Sequence, residues 1–192
     1  MRKIVFASNN GNKIQEVQHQ LKEQYKLLSL ADINCTEELS ETSDTLRGNA
    51  LQKAQYVAEN YGVDCFADDT GLLVDALNGE PGVYSARYAG AHRSNEDNMS
   101  LVLDKLGDSH HRSARFVTVI CLIIDGQTHY FEGEVRGNIT LKKSGEKGFG
   151  YDPIFRPEGF DRTFAEFTVV EKNKISHRGK AVAKLISFLQ NM

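Results

Sequence analysis

Residues 115–135 read RFVTVICLIIDGQTHYFEGEV. The run 115–124 is dense in Val, Ile and Phe, the composition of a buried strand. Asp125-Gly126 is a two-residue hairpin signal, so 128–135 is expected to return antiparallel to the first run, with 138–141 extending the sheet. Upstream, strand and helix patterns alternate. Lys3-Ile4-Val5-Phe6-Ala7 suits a buried strand, Ser8 to Lys13 has turn chemistry, and Ile14, Val17 and Leu21 recur at helical spacing. A second helix is expected over 44–61, with Leu46, Ala50, Ala54, Val57 and Tyr61 as its apolar stripe. Ser43 or Asp44 would cap it and Gly62 would stop it. Cys65-Phe66-Ala67 reads as a short strand running into a polar turn, Asp68-Asp69-Thr70-Gly71, with Leu72-Leu73-Val74 extended beyond it. A third helix is expected over 95–106 behind a Ser94 cap, and a last one over 178–191. Strand–helix units followed by a strong hairpin imply an α/β fold, a mixed β-sheet flanked by helices.

The chain has 192 residues, 40% of them hydrophobic and 26% charged, the balance of an ordinary folded enzyme rather than a disordered chain. It contains no repeat or low-complexity segment, and Pro81, Pro153 and Pro157 mark no linker, so a single domain over 1–192 is expected. No apolar run approaches a membrane span, and the short run after Met1-Arg2-Lys3 lacks the features of a signal peptide. Cys35, Cys65 and Cys121 are odd in number, far apart and without zinc spacing. They read as buried thiols in a reducing, cytoplasmic compartment. A net charge of -3 argues against polymeric nucleic acid as a partner, while leaving room for a small anion in a local basic pocket.

Four polar stretches can carry chemistry. Ser8-Asn9-Asn10-Gly11-Asn12-Lys13 offers hydroxyl, amide and backbone N–H donors at a helix start, with a compact charge on Lys13, and suits a phosphate chain without being a Walker loop. Asp68-Asp69 places two carboxylates together after an apolar strand, and a hard cation such as magnesium offsets such charge. In extended backbone the two side chains point to opposite faces, so they are expected to do different jobs. Glu37, Glu38 and Glu41 form an acidic loop nearby, and Lys53 on the second helix is within reach of a phosphate or simply solvated. Gly148-Phe149-Gly150-Tyr151-Asp152-Pro153 sets small residues between aromatics, which lets a flat ligand stack, with Asp152 as a hydrogen-bond acceptor. Lys172 and then Ser176-His177-Arg178-Gly179 bring donors that suit a carbonyl or ring nitrogen.

Taken in order, these stretches, together with Asn49-Ala50, Lys53-Ala54 and Pro81-Gly82-Val83-Tyr84-Ser85-Ala86-Arg87-Tyr88, closely resemble the inosine triphosphate pyrophosphatase family from the first strand to the last helix. The resemblance implies hydrolysis of ITP, dITP and XTP to the monophosphate and pyrophosphate with magnesium. It also implies an elongated fold with two lobes and a central cleft, and a homodimer. It puts the phosphate loop on Ser8, Asn9, Asn10, Gly11, Asn12 and Lys13, and the proton acceptor and metal ligand on Asp69. It puts a substrate contact on Thr70, and the base pocket on Phe149, Gly150, Tyr151, Asp152, Lys172, His177 and Arg178. The family's second glutamate before the second helix is Gly48 here, which leaves Glu41 as the expected metal partner of Asp69.

The residues alone leave open which of Asp68 and Asp69 is the base. They also leave two competitors: an aspartyl-phosphate phosphatase, which the adjacency of the two aspartates disfavours, and a nucleotide sensor that binds without hydrolysis. On the pyrophosphatase reading, donors from His177 and Arg178 pair with the 6-oxo group of hypoxanthine or xanthine and mismatch the amino group of adenine.

Overall fold

The computed structural model describes residues 2–21 and 25–192; of the domain expected over 1–192, Met1 and residues 22–24 lie outside the described residues. The elements are β1 (Arg2–Phe6), α1 (Gly11–Gln18), β2 (Tyr25–Leu28), α2 (Leu46–Tyr61), β3 (Cys65–Val74), α3 (Asn95–Leu106), β4 (Ser113–Ile124), β5 (Gln127–Ile139), β6 (Phe155–Pro157), α4 (Val169–Ile175) and α5 (His177–Gln190). The strands form one six-stranded sheet in the order β2-β1-β3-β4-β5-β6. β1 runs parallel to both β2 and β3, with Val5 opposite Leu28 on one side and Cys65 on the other, whereas β6 is antiparallel to β5. The sheet is therefore mixed, as the sequence implies.

Local chemistry explains most of the boundaries. Asp125 and Gly126 both take positive φ, 50° and 74°, the requirement of the tight hairpin turn that joins β4 to β5. Ser94 caps α3 by accepting from the Asp97 N–H, and Gly62 ends α2 in the left-handed region. The cap of α2 is Thr45, one residue beyond Asp44 and two beyond Ser43, the expected caps. β3 departs most from expectation: it runs unbroken from Cys65 to Val74, so Asp68, Asp69 and Thr70 lie inside a strand rather than in a turn. β2, β6 and α4 were too short to be visible as periodic patterns. Among the described residues no helix is long and apolar enough to cross a membrane.

The chain divides into two compact units, the first made of Met1–Asp69, Thr118–Gly133 and Arg178–Met192, the second of Thr70–Val117 and Glu134–His177. In the first unit, strand alternation sorts the core. Ile4, Phe6, Phe66, Ile120 and Leu122 pack with Val17 of α1 and with Ala181, Val182 and Leu185 of α5. Val5, Ala7, Cys65, Ala67 and Cys121 pack with Ala50, Ala54 and Val57 of α2. Strands covered on both faces read as continuous apolar runs, which is why β1 shows no alternation in sequence. In the second unit Leu72, Val74, Phe116, Tyr151, Phe155 and Phe164 share one core with Met99, Val102 and Leu106 of α3.

Gly48, in the first turn of α2, is required by its neighbour: a Cβ there would lie 1.9 Å from Ser43 Oγ and 2.6 Å from Ser43 Cβ. Gly48→Ala is therefore expected to lower the melting temperature, although alanine is the better helix former by about 1 kcal/mol, because overpacking costs about 1–3 kcal/mol. Adding Ser43→Gly should recover the loss. A Gly48→Ala protein as stable as its parent, measured by thermal unfolding, would refute the steric account.

Candidate active site

In the first unit the end of β1 hands the chain to α1 through Ser8–Lys13. Ser8 Oγ accepts from the Asn10 N–H at 3.1 Å, and Asn10 Oδ1 caps the helix by accepting from the N–H groups of Asn12 at 3.1 Å and Lys13 at 3.2 Å. Asn9 Oδ1 accepts from the Ala31 N–H. Asn9, Asn10, Gly11 and Asn12 are exposed, so this helix start is open to a ligand. The Lys13 side chain turns inward, and its Nζ donates to Asp68 Oδ1 at 2.8 Å.

Asp68 and Asp69 leave β3 on opposite sides, as the alternation of a strand requires. Asp68, on the face of Phe66, binds Lys13 with one oxygen and Arg178 Nε with the other at 3.0 Å. Arg178 NH1 in turn donates to Glu16 Oε2 at 2.5 Å, and the side chains of Arg178, Asp68 and Glu16 are each at most 5% exposed. Burial alone would push the Asp68 carboxyl up; the positive charges of Lys13, Arg178 and Lys53 outweigh it and hold the group well below the usual carboxylate range. Burial pushes the Lys13 ammonium down against the pull of Asp68.

Asp69, on the face of Ala67, accepts from Asn49 Nδ2 of α2 at 3.0 Å. Asn49 Oδ1 accepts from the Ser43 N–H, which fixes the amide. Burial pushes the Asp69 carboxyl up and the nearby charge of Glu41 adds to that, while Lys53 and the Asn49 bond pull the other way; the net direction is up. Lys53 Nζ donates to the Asp68 carbonyl at 2.7 Å and to Glu41 Oε1 at 2.5 Å. Lys53 thus ties the acidic loop to the strand carrying both aspartates. Thr70 is the first residue of the second unit and is half-buried.

The donor set of Glu41 and Asp69 is hard oxygen, which suits magnesium. Among the described residues no group of three or more His, Cys, Asp or Glu forms a metal cage. Two carboxylates fit a cation that keeps its waters and arrives with phosphates rather than a permanently caged ion.

The second unit gathers another cluster. Asp152 Oδ2 accepts from Lys172 Nζ at 2.7 Å and from the Phe149 N–H at 2.9 Å. Lys172 Nζ also lies over the Phe149 ring, 4.9 Å from its centroid. Gly148 takes φ +73°, and a Cβ there would sit 2.1 Å from Asp152 Oδ2. Gly150 is also left-handed, so the half-buried Phe149 is presented from a loop with glycine on both sides. The His177 ring stacks on Phe116 with centroids 4.5 Å apart.

Two expected base-pocket residues are placed otherwise. Arg178, expected as a base donor, has its guanidinium bound by Asp68 through Nε and by Glu16 through NH1. Tyr151 is 4% exposed, its ring belongs to the apolar core, and its hydroxyl donates to the Ser85 carbonyl at 2.7 Å. It supports the loop rather than lining it. The sequence reading missed Glu16 and the hydrogen bond of Asn49. Glu16 sits one helical turn after Lys13, on the same face, and that spacing is the one signal that could have marked it.

Comparison with known proteins gives a consistent picture. The model of the Ham1 family matches residues 4–188. A dITP/XTP pyrophosphatase of Flavobacterium johnsoniae is 58% identical over 97% of both chains, and one of Bacillus subtilis is 43% identical over 99% of this chain and 98% of its own. Among solved structures, a HAM1 protein from Coxiella burnetii superimposes with a TM-score of 0.92 at 37% identity over 100% of both chains. The Staphylococcus aureus Ham1 protein does so with 0.90 at 41% identity over 99% of both.

Removing Arg178 takes the guanidinium shared by buried Glu16 and Asp68 and leaves Lys13 as the cation beside Asp68, so Arg178→Ala is expected to lose about 3–5 kcal/mol of stability in urea denaturation. A loss below 1 kcal/mol would contradict the pairing. In the metal-free protein, side-chain carboxyl NMR should titrate Asp69 above, and Asp68 below, the ordinary aspartate value near 3.9. The signs then differ. The stability contributed by Asp68 is in place above that ordinary value and is lost as pH falls through its depressed folded value. Asp69 subtracts stability once pH rises above its ordinary value, and fully above its raised folded one. Two coincident titrations would contradict the opposite surroundings described here.

Proposed function

The chain belongs to the Ham1 family, and on that premise we propose that it hydrolyses non-standard purine nucleoside triphosphates, ITP, dITP and XTP, to the nucleoside monophosphate and pyrophosphate. Relatives 42–58% identical to it carry the name dITP/XTP pyrophosphatase. The observation that carries the reading is the unequal pair on β3: Asp68 is neutralised by Lys13 and Arg178, while its neighbour Asp69 keeps a carboxyl with a raised pKa, hydrogen-bonded from one side by Asn49. A carboxylate in that state is the better proton acceptor.

In the reaction, a water oxygen bonds to the α-phosphorus, the bond from that phosphorus to the bridging oxygen of pyrophosphate breaks, and Asp69 takes the proton from the water. Asn49 fixes the orientation of Asp69. The exposed start of α1, Ser8 to Asn12, binds phosphate oxygens through its hydroxyl, amide and backbone donors. Lys13 offsets the charge of the β- and γ-phosphates, and Lys53 holds Glu41 in place for the same region. Glu41 and Asp69 would hold a magnesium ion, which when bound screens the phosphate charge and makes water more acidic. Phosphoryl transfer asks for this kind of positioning and neutralisation more than for covalent chemistry. An aspartyl-phosphate route is disfavoured, since the two aspartates face opposite sides of one strand.

The base is read by the second cluster. Phe149 offers a face for stacking, Asp152 accepts from a ring N–H, and Lys172 and His177 donate to the 6-oxo group; an amino group at that position leaves donors unmatched. Arg178 holds Asp68 through Nε and Glu16 through NH1. A homodimer and a cytoplasmic location belong to the same reading. The latter is supported by three buried free cysteines, with burial pushing the Cys65 thiol up to about 12 and the Cys121 thiol up to about 11.

Incubation with ITP and magnesium should release pyrophosphate and IMP, with ATP turned over far more slowly. Asp69→Asn should cut kcat by about 10²–10⁴-fold. Release of inorganic phosphate in place of pyrophosphate, or full turnover by Asp69→Asn, would refute the proposal.

A further inference from the structure

We propose that the Tyr151 hydroxyl is the positioning group of the base-recognition loop, anchoring residues 148–152 to the carbonyl of Ser85; the inference rests on the reading that Phe149 and Asp152 meet the purine. The loop is held in part by backbone bonds: the Asp152 N–H donates to the Phe149 carbonyl at 3.2 Å and the Ile154 N–H to the Tyr151 carbonyl at 3.0 Å. Gly148 and Gly150 carry no side chain to pack and both take left-handed backbone, so the path of Phe149 is set by what holds its ends. One hold is Asp152, which accepts from the Phe149 N–H and from Lys172. Another is Tyr151, whose ring is core and whose hydroxyl reaches the Ser85 carbonyl, 66 residues earlier, at 2.7 Å.

Ser85 is a firm anchor. Its own Oγ accepts from the Leu72 N–H of β3 at 2.9 Å and donates to the Gly82 carbonyl at 2.6 Å. The buried Asn98 of α3 fixes the same segment. Its Nδ2 donates to the Ser85 and Ala86 carbonyls at 3.3 and 3.1 Å, and its Oδ1 accepts from the Ala89 N–H at 2.7 Å. The phenol is thus bonded to a carbonyl whose place is set by strand, helix and turn together. Burial pushes the phenol pKa up, so the hydroxyl keeps its proton at any working pH. Since Asp152 and Phe149 are one and two residues from Tyr151, freeing the phenol shifts the groups that read the base, and small misplacements at a recognition site are felt in binding. The residues named in this network all belong to the second unit.

The test is Tyr151→Phe, which removes one oxygen from a core ring. KM for ITP and the inhibition constant of IMP should both rise about three- to tenfold, the usual net worth of one hydrogen bond. kcat and the inhibition constant of inorganic tripolyphosphate, which has no base, should stay unchanged. Asn98→Asp, which keeps the acceptor for Ala89 but loses both donors, should shift IMP in the same direction. A purely structural role would lower the melting temperature and weaken IMP and tripolyphosphate alike. That result, or a Tyr151→Phe protein with parental constants, overturns the inference alone. A parent protein that neither hydrolyses ITP nor binds IMP overturns the functional reading and the inference with it.

Discussion

The Asp68 carboxylate is the fixed point of the first unit. It sits inside a strand, 2% exposed, where an unpaired charge costs several kcal/mol. Lys13 from α1 and Arg178 from α5 make it tolerable, and Glu16 completes the set by binding the far side of the guanidinium. Lys13 and Glu16 come from α1, Asp68 from β3 and Arg178 from α5, so the four charges are satisfied together only when these three elements are assembled. The ion pairs therefore act as a check on assembly: displacing α1 or α5 takes at least one ion-pair partner from the buried Asp68. The same pairs hold the Lys13 ammonium within the first turn of a helix whose N-terminus is exposed.

Strand alternation turns that constraint into function. Adjacent residues on β3 face different helices, so a single step along the chain changes a carboxylate's surroundings from ion pairs with Lys13 and Arg178 to an amide donor and the opposing charges of Glu41 and Lys53. Two chemically identical side chains acquire opposite proton affinities without any special group. Asn49 matters here because it donates to Asp69 without neutralising it, which a lysine in its place would do.

The parts of this arrangement governed by neighbours in sequence were legible. The hairpin at Asp125-Gly126 and the helix behind Ser94 follow from turn and cap chemistry, and both lie where their residues predict. β3 was misread as a strand broken by a turn because two aspartates and a threonine look like loop chemistry. The cations that let them lie in a strand are 55 and 110 residues away. Tyr151 reads as lining for the same kind of reason: an aromatic among glycines suits a ligand, and nothing local reveals that its hydroxyl reaches a carbonyl 66 residues back. Glu16 and Arg178, 162 residues apart, mark the limit of local reading. The family resemblance supplied the order of the motifs but not these pairings.

The three sulfurs carry a practical consequence. Cys35, Cys65 and Cys121 lie in one apolar layer against α2, almost wholly shielded, and two of them are held in the protonated, unreactive form. Alkylating reagents can reach them only when that layer opens. The chain thus contains its own clock for local unfolding, and its labelling rate reports how often α2 lifts from the sheet.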